Sequence, residues 1–149
     1  MKTSTPYISA VLLFAVASLL LGSCGFTRGN KDAEAVLTRH FQTIATDGFP
    51  TAIGDYGKQF FQKTTNDEWT RALTKLSSKL GSYQSHTVTA WRVFKNASTT
   101  GAGTTVSLQC QVIYSKHRAT ENFTLFKGVT DSDYKIVGHQ INSSALLTE

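Results

Sequence analysis

Acidic side chains are missing from the middle of this chain. Between Glu68 and Glu121 there is none, while the same stretch holds Arg71, Lys75, Lys79, Arg92, Lys95, Lys116 and Arg118. The whole chain carries a formal charge of +5. A one-sided field of this kind favours anionic partners. Cysteine is also scarce, with only Cys24 and Cys110 in 149 residues, which excludes a disulfide scaffold. Cys110 falls on the apolar parity of Val106, Leu108, Val112 and Tyr114, so a small buried hydrophobe is expected there. The chain has no HExxH, CxxC, GxSxG or glycine-rich phosphate loop. His40, His86, His117 and His139 are far apart and lack paired ligand spacing, so neither a metal nor a cofactor is expected.

One long apolar run is present. Ile8 to Leu21 is apolar except for Ser9 and Ser18, and follows a short basic start at Lys2. Its 14 residues are fewer than the roughly 20 that span a bilayer, and they end in small residues. The run reads as an export signal. Its ending, Leu21-Gly22-Ser23-Cys24, resembles the bacterial lipobox. That resemblance implies cleavage before Cys24, acylation of its thiol (palmitate among the chains) and a place on the extracytoplasmic side of a membrane. Gly25 is not the aspartate of inner-membrane retention, which implies the outer membrane where the cell has two. Export speaks against nucleic acid as a partner. Residues 1–23 are therefore set aside as signal peptide, and residues 24–31 are expected to be a short tether. The remaining length suits one domain, placed at residues 32–145.

Residues 32–47 carry Ala33, Val36, Leu37, Phe41, Ile44 and Ala45 at helical spacing, with Asn30 or Asp32 as cap and Gly48 as stop. His40 lies on or beside that stripe and reads as a packed or surface side chain. Residues 49–63 are broken by Pro50, Gly54 and Gly57. Thr65-Asn-Asp-Glu68 has the capping-box pattern and opens a second helix. Its Trp69, Ala72, Leu73, Leu76 and Leu80 mark one face, and Gly81 closes it. Four strands follow, near residues 82–96, 104–114, 118–127 and 134–141. The first alternates imperfectly, as a bulge would explain. Helices first and then an even run of strands with short turns predict an α+β fold with an antiparallel four-stranded meander.

Two stretches carry a family resemblance: the capped helix running straight into a strand from Trp69 to Trp91, and the ending Asp133-Tyr-Lys-Ile-Val-Gly-His-Gln-Ile-Asn142. The order resembles the nuclear transport factor two-like superfamily, which includes ketosteroid-isomerase-like domains; a cystatin-like arrangement is the competing fold. The resemblance implies a cavity between helices and sheet, and pairing of copies through the sheet into a homodimer.

The expected function is a membrane-anchored, non-enzymatic binding or adaptor domain of the cell envelope, for a small apolar ligand, a peptide or an envelope protein. Candidate lining residues are Tyr56, Phe60, Trp69, Trp91, Tyr114 and Phe123. A basic surface of Arg71, Lys75, Lys79, Arg92 and Lys95 is a candidate for anionic lipid or envelope polymer. The alternative is a cavity enzyme with Glu121 as general base and Tyr56, Tyr114 or His139 as donors. Glu121 shares parity with Phe123 and Leu125, but the simpler expectation is a rim glutamate paired with Lys116 or Arg118.

Overall fold

A computed structural model describes residues 24–96 and 101–146, with side chains from Asn30 onward. The signal run lies outside the described residues. Helix α1 spans Cys24–Asp47, a four-residue α2 spans Phe49–Ala52, and α3 spans Asn66–Leu80. Strands β1 (Tyr83–Asn96), β2 (Gly103–Tyr114), β3 (Arg118–Gly128) and β4 (Lys135–Asn142) follow. They pair antiparallel in the order β1-β2-β3-β4, and the helices pack on one face of this sheet. Among the described residues no helix is long and apolar enough to cross a membrane.

The start of α1 corrects an expectation. The helix begins at Cys24 and not at Asp32, so the stretch expected as a short tether is helical. Asn30 is then an interior residue and not a cap. It is buried one turn before Ala33, with its amide donating to Glu34 Oε1 at 2.8 Å. The buried stripe runs through Asn30, Ala33, Val36, Leu37, His40 and Phe41. Ala45, expected on it, is exposed because the stripe leaves the sheet at the end of α1. Gly48 stops the helix with φ +80°, a conformation open to glycine at little cost.

Helix α3 follows its sequence signals. Thr65 Oγ1 accepts from the Glu68 amide at 3.2 Å, and Glu68 Oε2 accepts from the Thr65 amide at 2.9 Å. Asp67 and Glu68 sit in the first turn and Lys79 in the last, which suits the helix dipole. The C-terminus is held by the β2–β3 turn: Leu80 O accepts from the amides of Lys116 and His117 at 3.0 and 3.2 Å. Gly81 has φ +91°, and a Cβ there would lie 2.9 Å from Lys116 N. Only glycine suits a chain reversal this close to another backbone.

The inner face of the sheet follows a strict period of two. Val106, Leu108, Cys110, Val112 and Tyr114 on β2 are buried, as are Ala119, Glu121, Phe123 and Leu125 on β3. The imperfect alternation of β1 has a local cause. Its register shifts between Val88 and Ala90, so Val88, Trp91 and Val93 all pair with inward-facing residues of β2. Phe94 pairs with Thr105 on the outer face and is 50% exposed. The edge of β4 is partly covered, because Gly57 N donates to Ile136 O at 2.8 Å.

Phe41 is 1% exposed and stacks on Tyr83 and His86. Replacing it by alanine should cost about 3–5 kcal/mol, since the cavity cannot refill. Phe94→Ala should stay within about 0.5 kcal/mol of the parent. Urea denaturation of the two variants measures the difference.

Candidate functional site: a buried carboxylate between two tyrosines and a histidine

Glu121 is the one acidic residue on the four strands, and it points inward. Strand parity forces this: Ala119, Phe123 and Leu125 lie on the same face and must be buried. Glu121 is 1% exposed, which corrects the expectation of a rim glutamate paired with Lys116 or Arg118. Lys116 instead donates to Ser78 O at 2.9 Å, and Arg118 is exposed on the outer parity.

A buried carboxylate needs hydrogen-bond donors, because water no longer solvates it. Two strands supply them. Tyr114 on β2 donates its hydroxyl to Glu121 Oε1 at 2.5 Å. His139 on β4 places Nε2 at 2.8 Å from Oε2. The other ring nitrogen of His139, Nδ1, lies 2.8 Å from the Tyr56 hydroxyl. A single hydrogen assignment satisfies every contact: Tyr114 O–H and His139 Nε2–H donate to Glu121, and Tyr56 O–H donates to Nδ1. The order is tyrosine, imidazole, carboxylate, tyrosine. Burial pushes both tyrosine hydroxyls well above their usual range, and the nearby Glu121 charge adds to this. For Tyr56 the Trp69 indole works the other way and outweighs the Glu121 charge, but burial prevails. Both phenols therefore stay protonated and act as donors. Burial likewise pushes His139 below the ordinary imidazole value, with Glu121 opposing.

Aromatic rings close over this chain. Phe123 stacks on His139 at 4.0 Å, Trp69 meets His139 edge-on at 5.6 Å, and Phe60 packs against both Tyr56 and Trp69. The structure thus brings Tyr56, Phe60, Trp69, Tyr114 and Phe123 together with Glu121 and His139. It does not bring Trp91. That residue has inner-face parity on edge strand β1 but is 46% exposed, beyond the cover of the helices. Two surface hollows flank the fold: one of about 670 Å³ runs between Tyr56–Gln59 and the β3–β4 turn, and a smaller one of about 340 Å³ crosses the outer face of the sheet.

A second imidazole–carboxylate pair sits above the first. His40 on α1 is fully buried, with Nδ1 at 3.1 Å from Asp55 Oδ2. Arg39 bridges Asp55 at 3.4 Å and Asp133 at 3.1 Å. Burial alone raises the Asp55 pKa, but His40 and Arg39 outweigh it and hold the carboxyl below its usual value. His40 Nε2 is buried without a partner and the ring lies 5.4 Å from that of Tyr56. The sequence left His40 as packed or surface, and the structure buries it; the sequence did not point to Asp55, which is 15 residues away in a stretch without clear periodicity. The only available signal was the position of His40 between Leu37 and Phe41 on the apolar stripe. Among the described residues no three His, Cys, Asp or Glu side chains group as metal ligands. Burial pushes the Cys110 thiol up to about 12, so it is held as a thiol.

The basic residues separate. Arg71, Lys75 and Lys79 lie on the helix layer, whereas Arg92 pairs with Ser107 on the outer face of the sheet. They do not form one surface. Comparison with protein families, with characterised proteins and with solved structures finds no match to this chain. The fold and the site therefore stand on their own as an α+β domain with a sealed polar core.

Tyr114→Phe leaves one oxygen of a buried carboxylate without its donor. It should cost about 1–3 kcal/mol, measured by chemical denaturation against the parent. The pH dependence has a definite sign. His139 and His86 both have lowered pKa values in the fold, so the folded chain binds fewer protons than the unfolded one. Their contribution is fully present above the unfolded histidine value near 6.5 and is lost as pH falls towards their folded values. The denaturation midpoint should drop between about pH 7.5 and about pH 5, and the drop should shrink in His139→Gln.

Proposed function

We propose that this chain is a lipid-anchored protein of the bacterial cell envelope whose domain is a non-enzymatic binding module, built on a nuclear transport factor two-like plan. Cys24 carries the anchor, and the domain sits on the extracytoplasmic side of the membrane. The observation that supports a binding role over catalysis is the state of Glu121. Both its oxygens are engaged, by Tyr114 and His139, and a shell of rings shuts it from solvent. A general base needs an oxygen within reach of the substrate proton. Here the carboxylate is occupied in holding strands together, which leaves binding to the surface. The helical start of α1 supports a short, stiff spacer: the seven residues from Cys24 to Asn30 rise only about 9 Å.

A cavity enzyme is the second reading. It is favoured by the acid–imidazole–hydroxyl order of Glu121, His139 and Tyr56 and by the unpartnered Nε2 of His40. The two readings differ in what the core admits. An apolar fluorescent dye titrated into the folded chain at neutral pH should find no saturable interior site. Uptake of one dye per chain, quenched by Trp69→Phe, would favour the cavity.

The anchor is tested in a bacterial host given an alkyne analogue of palmitate. The full-length chain should take up the label and sediment with membranes, and Cys24→Ser should lose both. Label retained in Cys24→Ser would overturn the assignment.

A further inference from the structure

The outer face of the sheet carries no acid, and its central rows are polar; Phe94 and Phe126 flank Thr105 towards one end of the face. Its central rows are Thr87, Gln111, Thr120 and Asn142, then Ala90, Gln109, Asn122 and Gln140. The next row is Arg92, Ser107, Thr124 and Gly138. The amides and hydroxyls are held by one another. Gln109 Nε2 donates to Asn122 Oδ1 at 3.1 Å, Gln111 Nε2 donates to Thr120 Oγ1 at 2.8 Å, and Thr89 Oγ1 donates to Gln109 O at 3.2 Å. These bonds fix the side chains and still leave donors and acceptors facing solvent, such as the Asn122 N–H pair and the Gln111 carbonyl. A groove of about 340 Å³ crosses these rows, bordered by Arg92 and floored by Ser107, Asn122 and Thr124. Gly138 lies against Thr124, which a Cβ at that position would meet at 3.2 Å.

We propose that this groove binds a glycan strand bearing acetamido and carboxylate groups. The proposal rests on the surface-binding reading above and names its partner class. Sugar hydroxyls both donate and accept, which suits a row of fixed amides and hydroxyls better than a row of single-purpose charges. An acetamido group matches the Asn122 and Gln109 amides. Arg92 at the rim, with no acid anywhere on the face, provides for the carboxylate as a planar donor pair. Charge decides against the other occupants. A second copy docked face to face would bring Arg92 and Arg118 towards a surface with no acid to pair them. An anionic membrane calls for a cluster of about four or more basic residues, which this face lacks.

The test uses the full-length chain in detergent and a hyaluronan tetrasaccharide, which carries both groups, followed by isothermal titration. Binding is expected, weakened roughly tenfold by Arg92→Ala, as for loss of one charge-assisted hydrogen bond. Asn122→Ala should weaken it by a similar factor, and the carboxyl-reduced tetrasaccharide should bind the parent as weakly as the tetrasaccharide binds Arg92→Ala. Arg71→Ala, on the helix layer, should bind as the parent does. Thermal melts check that each variant is folded. No binding by the folded parent, or binding unchanged in both face variants, overturns the proposal. So does a dimer in sedimentation that Arg92→Glu or Asn122→Arg disrupts, and so does binding to phosphatidylglycerol vesicles that Arg92→Ala abolishes while the tetrasaccharide is ignored. Loss of glycan binding leaves the palmitate result at Cys24 untouched, so failure here and failure of the anchor are read separately.

Discussion

A single buried carboxylate constrains this fold more than any other group. Glu121 sits in the middle of β3 with its charge directed into the core, where only fixed donors can compensate it. Those donors come from both neighbouring strands, Tyr114 from β2 and His139 from β4. The bonds therefore require the register of both pairings at once. A slip of one residue in β3 would turn Glu121 to solvent and Asn122 into the apolar layer, and would orphan both donors. The loop before α3 is tied in as well, since the Tyr56 hydroxyl reaches His139 while the next residue, Gly57, bonds the backbone of β4.

The helix layer repeats this logic on a smaller scale. His40 holds Asp55, and Arg39 links Asp55 to Asp133 at the β3–β4 turn. Three elements distant in sequence are joined where apolar packing thins out towards solvent. The exposed Arg39–Asp133 contact contributes little by itself, because water and salt screen it. The imidazoles in the core matter more. His40, His86 and His139 all pack against Phe41 or Phe123, and burial lowers the pKa of His86 and His139.

The two faces of the sheet have separate duties as a result. The inner face is closed by Phe60, Trp69 and Phe123 around a satisfied polar chain. The outer face is polar along its central rows, free of acidic residues and ordered by side-chain amides. The deepest titratable groups, Glu121 and His139, are tied to the strand register.

Much of the architecture was legible from residue order alone. The capping box at Thr65 and Glu68, the glycine at 81 and the alternation from Val106 to Tyr114 are local signals, and each decides a local structure. The bulge in β1 was legible as a break in parity. The start of α1 was not, because Gly25 and Gly29 weaken the helical pattern before Ala33. Trp91 looked like a cavity residue because parity says which side a residue faces and not how far the helices extend over it. Glu121 looked like a rim residue because burying a lone carboxylate is costly unless its partners are known. Those partners lie seven residues before it and 18 after it, and Tyr56 completes the chain from 83 residues before His139. The sequence by itself determined the elements, their order and their faces, since these depend on neighbours within a few residues. The tertiary structure alone decided that the carboxylate is sealed and that the basic residues divide between two layers, because both depend on which distant side chains the strand register brings within about 3 Å of one another.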